Sequence, residues 1–153
     1  MKNKITQSII AGLIGTVVMT GFILMAPMMG MPKMNPAEMI SSMMGISVIV
    51  GYMMHFIIGI IFASVYVYLF NPNVNIENKF IKGGLYGFLV FAFAIMMMFI
   101  MSKLMPLPIP MENIMLTLIG GIMGHLVFGI MVALIVPANA IINASNNFLN
   151  SNA

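Results

Sequence analysis

Gly51–Ala63 reads GYMMHFIIGIIFA, and Gly121–Ala133 reads GIMGHLVFGIMVA. Laid over one another, Gly51/Gly121, Met53/Met123, His55/His125, Gly59/Gly129, Ile60/Ile130 and Ala63/Ala133 coincide. The chain has two histidines in all, and both fall at the same place in this pattern. Matching glycines and methionines carry little weight in a chain with 14 of one and 21 of the other; matching histidines carry much. The chain therefore reads as one unit written twice, each copy placing an imidazole inside a membrane.

Composition agrees. Of 153 residues, 61% are hydrophobic and 6% charged, against about 25% charged in soluble domains. Four apolar runs, about 5–25, 46–70, 80–101 and 115–136, approach or exceed the roughly 20 helical residues that cross a hydrocarbon core. Only Lys82 interrupts them, near the start of the third. Each is expected to be helical, because unpaired backbone is too costly in lipid and four spans cannot close a barrel. The first run is too long for the apolar part of a cleaved leader, about 7–15 residues, so it should stay as span one.

There is no cysteine, which excludes disulfides, thiolate metal sites and lipidated cysteines. A net charge of +3 is too small to indicate nucleic-acid binding. Lys2, Lys4, Lys79 and Lys82 flank one side of the spans, and Lys33 and Lys103 the other. That bias places both termini in the cytoplasm of a multi-pass inner-membrane protein.

Span one carries Gly12-x-x-x-Thr16-x-x-x-Thr20, small residues four apart that let another backbone approach closely. The loop after Pro27 is rich in methionine and proline. Within it Asn35-Pro36-Ala37-Glu38 reads as a helix start, with Asn35 as N-cap and Glu38 completing a capping box. Gly45 is a candidate kink. Tyr66, Tyr68 and Phe70 are expected at the headgroup level, and Asn71-Pro72-Asn73 ends the second span. Gly83-Gly84-Leu85-Tyr86-Gly87 repeats Ala11-Gly12-Leu13-Ile14-Gly15 about 72 positions on, and Glu112 follows Pro110 as Glu38 follows Pro36. Residues 137–153 form a polar, Asn-rich tail, expected to be flexible.

The fold expected is thus all-α: a polytopic membrane four-helix bundle over 1–136, made of two tandem helical hairpins, about 5–70 and 80–136. Because each unit crosses twice, the copies form a parallel repeat about an axis along the membrane normal. Gly51, His55, Gly59 and Ala63 share one stripe, as do Gly121, His125, Gly129 and Ala133. With Gly12, Thr16, Gly83 and Gly87 they form the expected packing faces, so each imidazole should point at another helix, about 15 Å deep.

An ionisable group at that depth marks a functional candidate by default. The plainer reading makes each ring an interhelical hydrogen-bond link, with Thr16 as partner for His55 and only Phe88 or Phe91 at the corresponding place beside His125. Haem ligation suits the residue type, but glycine-lined faces leave little room for a porphyrin. A soft metal gains support from methionine placement, since 19 of the 21 methionines lie on the outer side of the histidines or beside them. Thioethers select Cu(I), and Met28, Met29, Met31, Met34, Met53 and Met123 join His55 and His125 as candidate ligands. Methionine also fills irregular gaps. No span contains a carboxylate, and no nucleophile triad, H-E-x-x-H or phosphate loop occurs. The expectation is a non-enzymatic protein.

An AGLIGT-like first span, GYMMHFIIG in the second, KGGLYGF opening the third and GHLVFG in the fourth together resemble a family of small prokaryotic four-helix membrane proteins of unknown function. The resemblance runs to about Val136, with phenylalanine in the third span where tryptophan is common. It implies the four-helix architecture and the importance of the two H-x-x-x-G motifs, and no chemistry. Expected partners are the lipid bilayer and either a larger membrane complex or a second copy, and no nucleic acid.

Overall fold

The computed structural model describes residues 3–104 and 113–137. The second loop and the tail beyond Pro137, with Glu112, lie outside the described residues. Among the described residues lie α1 (Lys4–Met25), α2 (Pro36–Met44), α3 (Val48–Val65), α4 (Lys79–Leu104) and α5 (Ile114–Ile135). A 3₁₀ turn (Ala26–Met29) closes α1, and α3 runs on through a π-helical turn (Tyr66–Phe70) into Asn71–Asn73. Four of these helices are long and apolar enough to cross a membrane. Only 22% of the apolar window of α3 and 17% of that of α4 is buried within the chain. The rest needs lipid as its solvent, and the chain is a multi-pass membrane protein.

The short loop helix forms as its residues dictate. The Asn35 side chain accepts from the Ala37 and Glu38 amides, and Pro36 fills the first helical position. Gly45 ends α2 with φ of 65° rather than kinking a longer helix, and Ser47 caps α3. Gly51 lies against the Ala37 carbonyl, so α2 folds back onto the start of α3, and Asn35 Nδ2 donates to the Tyr52 hydroxyl at 2.9 Å.

The long helices alternate in direction, and α1 sits between α3 and α5. Helix α4 packs on α5 and reaches α3 through aromatic side chains. The α1–α3 and α4–α5 seams are copies of one another. A Cβ on Gly12 would stand 2.6 Å from Ile60 Cα; one on Gly83 would stand 2.6 Å from Ile130 Cα. Gly59 abuts Thr16 and the Gly12 carbonyl, just as Gly129 abuts Gly87 and the Gly83 carbonyl.

These contacts set the repeat at 71 residues between α1 and α4, one fewer than the Leu-x-Gly match suggests. Under a 72-residue offset Gly84 would replace Gly12, yet nothing lies within 4 Å of the Gly84 face. The corrected register makes Tyr86 the counterpart of Gly15 and Phe91 the counterpart of Thr20.

The π turn adds a residue and turns the end of α3. Its closing bond runs from the Asn71 amide to the Tyr66 carbonyl. Tyr66, which opens the turn three residues beyond Ala63 on the buried face of α3, is 1% exposed and stacks edge-on against Tyr86 at 5.0 Å. Its ring faces the helix bundle. Tyr68 is exposed and carries Lys4 over its ring.

Candidate functional site

His55 is carried on α3 by the stripe that glycine makes narrow, so its ring enters the α1–α3 seam and is 8% exposed. Its Nε2 shares a hydrogen bond of 3.2 Å with the Thr20 hydroxyl. The expected partner, Thr16, is one turn away. Its oxygen lies against the α-carbon face of Gly59 and has no hydrogen-bond partner among the described residues. The close helix approach made by Gly12 and Gly59 fills that level with backbone, and the ring, projecting from α3, meets the next hydroxyl along α1.

His125 has no such hydroxyl. Phe91 occupies the place of Thr20 and meets the imidazole edge-on at 5.6 Å. The ring turns back onto its own helix, where Nδ1–H donates to the Gly121 carbonyl at 2.7 Å. In the neutral ring Nε2 then bears the lone pair. A ring N–H fixed on a carbonyl is the arrangement that orients metal-binding histidines. No hydrogen bond joins the two imidazoles, whose partners among the described residues are Thr20 and Gly121. Both occupy seams closed by backbone contact, with Gly87 against the His125 carbonyl, so neither seam leaves a gap of porphyrin width.

The candidate methionines divide. Met28 and Met29 are 84% and 70% exposed, and Met53 and Met123 point outward, 61% and 41% exposed. Met31 and Met34 come together. Their sulfurs each lie 3.7 Å from the point where a Gly120 side chain would begin, so they are no farther apart than twice that. The Met34 methyl fills that point itself. One turn deeper, the Met19 methyl lies 3.6 Å from the corresponding point on Gly124, and Met19 is 6% exposed. Met19, absent from the ligand set drawn from sequence, thus joins Met31 and Met34 along the Gly120/Gly124 face of α5. The signal for it was its position one residue before Thr20, on the α1 flank that turns toward α5.

A second polar cluster sits at the opposite end. Lys82, 3% exposed, donates from Nζ to the Asn71 carbonyl at 3.1 Å and to Asn71 Oδ1 at 2.7 Å. Asn71 Nδ2 in turn donates to the Pro137 carbonyl at 3.2 Å, and the Tyr86 hydroxyl donates to the Phe62 carbonyl. Lys79 Nζ reaches the carbonyls of Leu134 and Val136 at the end of α5, a favourable place for a cation. Sequence reading treated Lys82 as an interruption of a span; the clue to its burial was Asn71, a polar residue closing the apolar run that precedes it.

No curated protein and no solved structure matches the chain. A family profile described as a family of unknown function, DUF6789, matches residues 2–145. Nearly the whole chain is covered, and the protein belongs to that family.

Proposed function

We propose that the protein is a non-enzymatic, membrane-embedded binding protein that takes Cu(I) on thioethers at its methionine-rich end. The observation that carries this reading is the convergence of Met31 and Met34 on the side-chain-free face of Gly120, directly above buried Met19. Thioether sulfur prefers Cu(I) to hard cations, and a flexible thioether adapts to low coordination numbers. The lysine-bearing end, with both termini, belongs in the cytoplasm by the positive-inside rule. The methionine end then faces outward in the inner membrane and meets the ion first. His125, its Nδ1–H held by Gly121, is the imidazole best oriented to serve as an inner ligand; His55 is a link to α1.

The test is direct. Full-length protein in mild detergent is loaded with Cu(I) under ascorbate, and copper is counted and examined by X-ray absorption. One copper per chain with sulfur scattering is expected. Met31→Leu/Met34→Leu should lower affinity tenfold or more, while Met28→Leu/Met29→Leu should change it little. Copper retained equally by both double variants, or no retained copper, sinks the reading.

One observation favours a second reading, a structural or interaction subunit for itself or for a larger membrane complex. Each imidazole already has a partner within the protein, Thr20 for His55 and Gly121 for His125. If His55→Ala and His125→Ala unfold a protein that binds no metal, this reading replaces the first.

A further inference from the structure

Met28 and Met29 differ from the other exposed apolar residues, because lipid does not account for them. The 22 residues of α1 rise about 33 Å at 1.5 Å each, more than the hydrocarbon core of about 30 Å. The 3₁₀ turn that follows therefore lies at the headgroup level or beyond, where exposing a large apolar side chain costs free energy. Met28 is nonetheless the most exposed large hydrophobic residue among those described, and Met29 is close behind.

The turn is built to hold them there. Pro27 takes an early helical position, and Ala26 is buried against the bundle. The Gly30 amide donates to the Pro27 carbonyl at 3.1 Å and the Met31 amide to the Ala26 carbonyl at 3.2 Å. Met28 and Met29 project outward from this anchored base. Gly30, with φ of 79° and nothing within 4 Å of its face, then turns the chain toward Met31.

Met29 and Met31 are two residues apart, so their α-carbons lie within about 7 Å of one another. Each side chain has three rotatable bonds and a polarizable sulfur, which brings one thioether within reach of the other. Met31 converges with Met34 on Gly120, above Met19. Thioethers thus run in file from the surface inward: Met28 and Met29 exposed, Met31 and Met34 half-buried, Met19 buried.

We infer that Met28 and Met29 are a capture site that takes Cu(I) from a soluble donor and passes it to Met31 and Met34. The inference rests on the copper reading of the inner thioethers. Each step is a ligand exchange: a bond from copper to one methionine sulfur forms as a bond to the previous ligand breaks. The ion stays Cu(I), and no proton moves. A carried ion meets exposed sulfurs before half-buried ones, and thioethers are the donors that suit it. Such a relay sets speed and leaves affinity alone. A group that only carries the ion in also carries it out, so uptake and release change by the same factor.

Rapid mixing of the full-length protein, in mild detergent, with the coloured Cu(I) complex of bathocuproine disulfonate tests the inference. Loss of colour reports uptake, and its return in excess chelator reports release. Met28→Leu/Met29→Leu should slow uptake tenfold or more, slow release by the same factor, and leave the equilibrium affinity unchanged. Met31→Leu/Met34→Leu should lose affinity instead. Circular dichroism checks that both double variants keep the native helicity. Uptake at the wild-type rate in Met28→Leu/Met29→Leu overturns the inference and leaves the inner site standing. An equal loss of affinity in the two double variants overturns it as well, since the outer pair would then be ligands of the bound state. A wild-type protein that draws no copper from the complex removes both readings.

Discussion

The Thr20 hydroxyl meets Nε2 of His55 at 3.2 Å, joining two helices through residues that neither span could leave unpaired without cost. Interhelical bonds of this kind in membranes contribute about 0.6 kcal/mol on average and up to about 1.7. Thr20→Val is expected to lower stability within that range, while Thr20→Ser, which keeps the oxygen, loses less. Ring ¹⁵N shifts should move for His55 and stay for His125. Unchanged shifts in Thr20→Val exclude the bond.

Adjacent glycines give the sharpest test of the repeat. A Cβ on Gly83 would meet Ile130 Cα at 2.6 Å, whereas nothing stands within 4 Å of Gly84. Gly83→Ala should destabilise by about 1–3 kcal/mol, as overpacking does. Gly84→Ala should be neutral or stabilising by up to about 1 kcal/mol, since alanine is the better helix former. Melting curves in detergent decide the order, and a reversed order would restore the 72-residue register.

Lys82 and Asn71 form a coupled pair. Lys82→Met takes one donor from each of two Asn71 oxygens, at a cost of about 1–3 kcal/mol. Combining it with Asn71→Leu removes one of those acceptors, so the double variant should lose less than the two single losses together. Strict additivity in chemical unfolding would show that the ammonium is held elsewhere.

Gly120 is the seat of the paired thioethers. Gly120→Val pushes against the Met34 methyl, a flexible side-chain end, so folding should survive while Cu(I) affinity falls tenfold or more. Gly21→Val, placed where no neighbour lies within 4 Å, serves as the control. Equal affinity in the two variants would detach copper from this face.

Much of the architecture could be read without coordinates because lipid leaves few options. Apolar runs of sufficient length become helices, and small residues four apart mark where helices touch. Gly12, Gly59, Gly83 and Gly129 lie at such contacts. What could not be read was rotation about each axis. Thr16 and Thr20 share a stripe, and only the crossing geometry decides which meets His55. The π turn was not legible either: its added residue moves the side chains that follow it by about 100° around the helix, given 3.6 residues per turn. The pairing of Met31 with Met34 needed the placement of the loop before α2 against Gly120 of α5, which no local pattern specifies.

Tyr86 lines an open gap between α3 and α4, whereas its counterpart Gly15 lies in the closed seam between α1 and α5, and this has a consequence for how such a protein arises. A half-length ancestor associating with itself would have had two identical outer seams, both shut or both ajar, since one gene wrote each side. Once the halves were joined, a single substitution could prop one flank while its twin stayed sealed. Asymmetry of that kind is open to a fused chain and closed to a homodimer.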